Sequence, residues 1–432
     1  MLLIFIPEIT ARHQYVFSHI FEYMGIEFRL TDNTEDFLAS HQMKFSYCQA
    51  RLQQEIHFYS SGLLEEKEIR QFEPEVGEYK GVRTLIPYQT QKCLLPYDVF
   101  SAVFYLISRY EEYLPFVPDE HGRFKAADSL AYRNGFLYIP VVDYWIMQLE
   151  DLLKKEFPEL SFKEHHYNYL PTYDIDIAYS FRNKGFTRNL GGFVRDGLQF
   201  KLREYFLRLR VLLHLKADPY DSYDYLASLH QKYGLQAQYF IHPGTWSRYD
   251  KNSLPGKIIP LLMHLSESGN IGIHPSYLST EQPELLRIEK KRLESACGYE
   301  ITNARQHYIL LRFPDTYRNY AANGITDDYS MGYATDIGFR AGTSNPFLFF
   351  DLLENKTSQL TIHPFVFMEG VFKFYRNLPE SDIIANFAAL VQQIKQTNGT
   401  FISLWHNESL GTSPQWKGWR DIYERMLELA KP

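Results

Sequence analysis

The sequence predicts an α/β protein with a smaller α/β domain over residues 1–165 and a (β/α) barrel over residues 166–432. Its 432 residues are about three times the ~150 residues typical of one domain. The first part opens with a β-α-β pattern, and the second alternates strand-like and helix-like segments in regular order. Repeated βα units indicate parallel strands, and about seven of them fit a barrel.

In the first part, capping residues define the elements. The expected elements are a strand over 2–6, a helix between Thr10 and Gly25, strands over 26–30, 45–48 and 56–59, and helices that begin at Pro96 and Pro140. Thr10 is a favourable N-cap, Gly25 a favourable helix stop, and proline is common in a first helical turn. No reactive cluster stands out here, so we expect this domain to serve packing, partner contact or substrate selection.

In the second part, apolar runs alternate with amphipathic segments. The expected strands cover 167–173, 236–242, 270–274, 304–308, 325–329, 359–363 and 400–406, with helices over 221–233, 255–268 and 281–296 among them. An insertion over 184–216 carries eight Lys or Arg and two acidic residues. Its apolar stripe from Leu198 to Leu213 predicts a helix packed on the domain with its basic face in water; a membrane-surface or partner helix is the alternative.

Composition narrows the function classes. The net charge of −7 argues against a general attraction to nucleic acid. Aromatic residues make up 16% of the chain, which indicates large cores and Tyr-lined clefts. Three dispersed cysteines suit a reducing compartment. Without a signal-peptide pattern or an apolar run of about 18 residues, we expect a cytoplasmic protein with no transmembrane segment. The oligomeric state stays open.

Ionisable residues follow four of the predicted strands. They are Asp174 and Asp176, His274, Arg305 with His307, and His406. In parallel α/β proteins the site forms at the carboxyl ends of the strands. Asp174 and Asp176 point the same way from an extended backbone, which suits one metal ligand and one base. Each residue has an ordinary alternative, such as a loop-capping Asp, a core His or an ion pair, but four such coincidences are less probable than one shared site.

These segments resemble the polysaccharide deacetylase family, also called NodB-homology carbohydrate esterases. The matching segments are Thr172-Tyr-Asp-Ile-Asp176, His274-Pro-Ser276, Arg305-Gln-His-Tyr308 and Leu404-Trp-His406. The α/β domain in front of them resembles a Bacteroidetes-type variant. The resemblance implies a deformed (β/α)7 barrel and metal-assisted removal of an N- or O-acetyl group from a sugar or glycan.

The resemblance also implies roles for individual residues. Asp174 corresponds to the general base, Arg305 orients it, and His406 is the general acid. Asp176 and His274 correspond to ligands of a divalent ion, with zinc the first choice. The family's second histidine ligand falls at Leu278, which cannot bind a metal. Three outcomes are open: His307 replaces it, Ser276 or water completes a weaker oxygen-rich site, or the site holds no metal.

Further residues are candidates for substrate contact. Arg340 lies in a small-residue loop suited to an anionic or sugar group, or could replace Arg305 as the orienting arginine; a simple turn is the alternative. Ser276, Tyr308 and Glu369 are the other substrate-binding candidates. Two alternative functions are a glycosidase that uses Asp174 with Glu369 and a metal-free carbohydrate-binding module.

Overall fold

Two sheets and a β-hairpin organise the protein. The computed structural model describes residues 1–88, 93–250, 255–376 and 378–432. The strands are β1 Leu2–Phe5, β2 Phe28–Thr31, β3 Lys44–Cys48, β4 Ile56–Tyr59, β5 Val76–Tyr79, β6 Val82–Leu85, β7 Asn168–Ile175, β8 Ala237–Ile241, β9 Gly269–Ile273, β10 Asn303–Ala304, β11 Asp327–Asp328, β12 Phe347–Asp351, β13 Lys356–Ile362, β14 Phe367–Met368 and β15 Thr400–His406. The helices are α1 Ala11–Met24, α2 Thr34–Ala39, α3 Val99–Ile107, α4 Leu130–Arg133, α5 Val141–Glu156, α6 Phe186–Leu198, α7 Leu202–Leu212, α8 Tyr223–Tyr233, α9 Ile259–Ser268, α10 Glu284–Cys297, α11 Asp315–Ala322, α12 Glu380–Gln396 and α13 Trp419–Ala430.

The first sheet is parallel, in the order β2-β1-β3-β4. Helix α1 connects β1 to β2 and has the predicted caps: the Thr10 side chain accepts a hydrogen bond from the backbone N–H of His13, and Gly25 ends the helix in the left-handed conformation at φ 71°. Helix α3 packs behind the sheet, where the rings of Phe17 and Phe100 stack with centroids 4.3 Å apart. Aromatic packing therefore supplies much of this core.

The second sheet has the order β12-β13-β11-β10-β9-β8-β7-β15-β14, and all its neighbours are parallel except β12 and β13. Because these strands run the same way, the carboxyl ends from β13 to β14 share one edge. The chain is thus of the α/β class with a large sheet. Among the described residues, β14 pairs with neither β12 nor β13, so the closed barrel stays a prediction.

Apolar packing continues across position 165. The Tyr15 hydroxyl on α1 donates to the carbonyl oxygen of Leu348 on β12 over 2.7 Å, and its ring lies 4.9 Å from that of Phe350. One apolar cluster includes residues from both parts of the chain. The division into domains at 165/166 remains a prediction.

Two local expectations were wrong. The predicted strand over 304–308 ends at Ala304, because Tyr308 and Ile309 adopt positive φ angles of 61° and 53° and close a tight turn. Arg305 and His307 therefore do not share a strand face. The insertion over 184–216 forms two helices, α6 and α7, whose apolar stripe stays in solvent instead of packing on the domain. Across the described residues, no helix is long and apolar enough to cross a bilayer.

Candidate active site

Three ligand-type side chains meet at the carboxyl edge of the second sheet. Asp176 follows β7, His274 follows β9, and His307 lies in the turn after β10; their nearest ligand atoms all lie within 4.8 Å of one another. The Nε2 atom of His274 is 3.3 Å from Oδ1 of Asp176, and that of His307 is 3.5 Å from Oδ2. The sheet order explains the meeting, since β7, β8, β9 and β10 are successive neighbours.

Both imidazoles are oriented by a bond to the other ring nitrogen. Nδ1 of His274 donates to the carbonyl oxygen of Arg305 over 2.6 Å, and Nδ1 of His307 donates to Oδ1 of Asp250 over 2.8 Å. Because Nδ1 is used in each ring, Nε2 is the nitrogen directed at Asp176. Metal-binding histidines in proteins are commonly held this way.

The residues fit a divalent ion. Oδ1 of Asp176 is buried and has no hydrogen-bond donor among the described residues. Burial would raise the pKa of Asp176, but His307 and His274 lower it well below its usual value, so the carboxylate stays ionised. Two imidazole nitrogens and one carboxylate form a donor set of catalytic zinc sites, which keep a further position open.

A second group consists of His242, Asp250 and His307, whose ligand atoms also lie within 4.8 Å of one another. Oδ1 of Asp250 already accepts from Nδ1 of His307 and from the backbone N–H of Tyr277, and Oδ2 accepts from the Ser247 hydroxyl. Both lone pairs of Oδ1 and one of Oδ2 are therefore used within the protein. We assign Asp250 to the orientation of His307.

Asp174 lies beside this cluster, with Oδ2 3.7 Å from Nε2 of His274, and its other oxygen is bound by a buried arginine. Nη1 of Arg305 donates to Oδ1 of Asp174 over 3.0 Å and to the Thr172 hydroxyl over 2.7 Å. The guanidinium carbon lies 4.4 Å from the ring centroid of Phe240, which packs against the cation. Because Arg305 occupies one oxygen of Asp174, the other oxygen remains for chemistry in the cleft.

His406, at the end of β15, is paired with a carboxylate. Oε1 of Glu369 accepts from both the backbone N–H and Nδ1 of His406, each over 2.8 Å. Burial would lower the pKa of His406, but Glu369, followed by Asp176 and Asp174, raises it well above its usual value. His406 therefore carries a proton near neutral pH, as a general acid must.

These side chains line one cavity of about 310 Å³. Its wall includes the aromatic residues Tyr249, Tyr308, Phe374, Tyr375 and Trp416. Arg123, from the first 165 residues, also lines it and donates from Nη1 to the carbonyl oxygen of Tyr308 over 2.7 Å. Both parts of the chain thus shape the cleft.

Of the ten site residues predicted from the sequence, some line the cavity and others lie behind it or outside it. The cavity is lined by Asp174, Asp176, His274, His307, Tyr308 and His406. Arg305 and Glu369 lie behind it, bonded to Asp174 and His406. The Ser276 hydroxyl caps a short turn by accepting from the backbone N–H of Ser279, and the residue is fully buried.

Arg340 departs furthest from its predicted role of substrate contact. Its guanidinium is bonded to both carboxylate oxygens of Glu112, at 2.9 and 2.6 Å, and Glu112 is also bonded to Arg109. Arg340 is 3% exposed and lies outside the residues that line the cavity. It ties the loop over 338–344 to the first part of the chain, and we leave it out of the site.

Glu369 likewise does not fit substrate contact or a glycosidase carboxylate pair, because it is fully buried behind the residues that line the cavity. Its Oε1 accepts both bonds from His406, and its Oε2 has no hydrogen-bond partner among the described residues. Sequence reasoning missed Asp250, His242 and Arg123. His242 follows β8 directly, so the same strand-end rule could have found it. Asp250 and Arg123 lie in loops without a local signal.

A model of a family of unknown function, DUF7033, matches residues 2–158, which is under half of the chain. A search of curated proteins gives no match.

Solved structures with partial similarity include a protein from Mycobacterium smegmatis classed as a polysaccharide deacetylase, with 12% identity, a TM-score of 0.39, and coverage of 63% of this chain and 86% of that one. A family 4 carbohydrate esterase from Streptomyces lividans gives 9% identity, a TM-score of 0.30, and coverage of 62% and 90%. The PuuE allantoinase gives 9% identity, a TM-score of 0.35, and coverage of 62% and 84%.

Proposed function

We propose that this protein is a metal-dependent hydrolase that removes an N- or O-acetyl group from a sugar or glycan, with a deformed (β/α)7 barrel of the polysaccharide deacetylase type. The observation that carries the proposal is a single cleft around which the Asp176-His274-His307 cluster, Asp174 and His406 converge. The cluster supplies a metal donor set, and the other two residues supply an acid and a base.

Asp176, His274 and His307 would hold the ion, with His307 in the place that Leu278 leaves vacant in the motif. A divalent ion there would polarise the acyl carbonyl group and lower the pKa of water. Asp174, bonded to Arg305, would take a proton from the attacking water. His406, whose pKa Glu369 raises, would give a proton to the departing amine or alcohol.

The lining of the cleft is compatible with a carbohydrate. Tyr249, Tyr308 and Trp416 supply aromatic surface that can contact the C–H groups of a sugar, while hydroxyl and imidazole groups can bind its oxygens. The aromatic wall is therefore consistent with sugar rings at this position.

Metal analysis combined with acetate release tests the proposal. We expect zinc or a similar ion in the purified protein, and acetate release from N-acetylglucosamine oligomers or from O-acetylated xylan. Asp174→Asn should abolish release and retain the metal, whereas Asp224→Asn, at an exposed carboxylate on α8, should change neither. Metal-free protein that releases no acetate but binds the oligomers would overturn the proposal in favour of the carbohydrate-binding module.

A further inference from the structure

The insertion between β7 and α8 is a helical hairpin that begins soon after the strand end carrying Asp176. Helix α6 runs to Leu198, Phe200 turns the chain at a φ of 54°, and α7 starts at Leu202. The hairpin takes no part in the cavity described above. We call residues 186–215 the basic hairpin.

The inner seam of the basic hairpin combines an ion pair with an aromatic contact. Asp196 on α6 is 1% exposed, and Oδ2 accepts from Nη2 of Arg208 on α7 over 2.8 Å. Beside this pair, the ring of Phe193 on α6 lies 4.9 Å from that of Tyr205 on α7. These contacts join the two helices, and further apolar side chains remain exposed to solvent.

The outer face is apolar and exposed. Its exposed residues are Phe186, Leu190, Val194 and Leu198 on α6, Phe200 in the turn, Leu202, Phe206 and Leu209 on α7, and Leu213 and Leu215 after it. Steps of four residues on α6, and of four, three and four from Leu202, place each set on one side of its helix. Phe200 at the tip is 86% exposed and Leu198 is 76% exposed. Exposed apolar stripes of this kind mark an interaction site.

The charge on the hairpin selects the occupant. Residues 186–215 carry six Lys or Arg against two acids, a local net charge of +4 on a chain whose net charge is −7. A second copy docked through the same face would bring two such positive surfaces together, which is unfavourable. Exposed leucines and phenylalanines beside lysines and arginines are typical of segments that lie in the interface of an anionic bilayer.

We propose that the basic hairpin binds the surface of an anionic lipid bilayer, with Phe200 and the outer leucines and phenylalanines inserted among the lipids and the exposed Lys201, Arg203 and Arg210 facing the headgroups. This binding is independent of the proposed hydrolase activity. Because the hairpin follows the strand end that bears Asp176, it would bring the cleft close to the membrane surface.

Co-sedimentation of the full chain with vesicles tests the proposal. We expect binding to vesicles of phosphatidylcholine mixed with phosphatidylglycerol, weak binding to phosphatidylcholine alone, and weaker binding at high salt. The variant Leu198→Gln, Phe200→Asn and Phe206→Gln should lower the affinity for anionic vesicles more than about tenfold, because it removes three inserted side chains. Asn is chosen at position 200 because it tolerates a positive φ.

Two further variants test the electrostatic contribution to vesicle binding and control for the loss of exposed apolar side chains elsewhere on the surface. Lys201→Gln, Arg203→Gln and Arg210→Gln change exposed residues and should remove the preference for anionic vesicles. Met263→Gln with Leu353→Gln, at positions 66% and 61% exposed elsewhere, should leave binding unchanged. If wild-type protein ignores anionic vesicles, the proposal fails. It also fails if sedimentation equilibrium shows a dimer that the Leu198, Phe200 and Phe206 substitutions dissociate, because a second copy would then be the occupant.

Discussion

Nδ1 of His307 lies 2.8 Å from Oδ1 of Asp250, and this bond turns the opposite ring nitrogen towards Asp176. His307 comes from the turn after β10, whereas Asp250 comes from the loop after β8. The pair therefore orients the third donor of the candidate metal cluster.

We expect Asp250→Asn to weaken zinc affinity by about 10–100-fold, the usual effect of losing a carboxylate behind a histidine ligand. A competition titration with a chelator measures the change. Asp327→Asn is the matched control, because Asp327 holds His363 at the same distance of 2.8 Å outside the cavity lining. Equal zinc affinity in wild type and Asp250→Asn would show that Asp250 does not orient a ligand.

Substitution of His307 and of His242 distinguishes the two candidate clusters. His307→Gln should remove bound zinc and acetate release, because it deletes one of the three donors around Asp176. His242→Gln should keep the zinc, since Asp250, which His242 would need as a co-ligand, is already bonded to His307. Metal analysis of both purified variants distinguishes the two clusters. Loss of zinc from His242→Gln alone would assign the metal site to the group formed by His242, Asp250 and His307.

The pair formed by His406 and Glu369 predicts a shift in the pH profile. Glu369→Gln removes the main group that raises the pKa of His406, so His406 should lose its proton at a lower pH. The alkaline limb of the pH–rate profile for acetate release should therefore shift to lower pH. His406→Asn should lower the rate by about 10²–10⁴-fold at all pH values, as loss of a general acid does. An unchanged alkaline limb in Glu369→Gln would assign that limb to another group.

The side chains at the ends of strands were the part of the candidate site that could be predicted from the sequence. Asp174, His274 and His406 each follow an apolar run, and parallel strands bring such positions to one edge. The helix limits at Thr10 and Gly25 were predictable for the same reason, since capping is local chemistry.

Long-range partners could not be predicted. Arg340 stands in a small-residue loop that suits a ligand, but its bond to Glu112 joins positions 228 residues apart. The stripe on the basic hairpin has the period of a packed helix, yet most of its residues are exposed, while Asp196 and Arg208 face the partner helix. Periodicity shows which side is apolar and does not show what that side faces.

The structural role of Arg340 leads to a stability prediction. Arg340→Met should lower the free energy of unfolding by about 1–3 kcal/mol, because the buried Glu112 loses its two bonds from Arg340 and keeps only the one from Arg109. Arg133→Ala, which breaks an exposed pair with Glu73, should cost at most about 1 kcal/mol. Denaturant unfolding measures both. If Arg340→Met is fully stable but raises KM for acetylated oligomers, the original prediction of substrate contact is correct.

Buried neutral histidines should make the protein acid-sensitive. Burial lowers the pKa of His13 and of His230 from 6.5 to about 4. Between these values the unfolded chain binds protons that the folded chain does not, so stability is full above pH 6.5 and is lost as the pH falls towards 4. Each group contributes on the order of 3 kcal/mol to this loss.

Urea titrations of variants from pH 7 to pH 4 test this expectation. His230→Gln should make the free energy of unfolding fall less steeply with decreasing pH, whereas His41→Gln, at an exposed position, should leave that pH dependence unchanged. Equal slopes for wild type and His230→Gln would show that His230 is not held neutral in the fold.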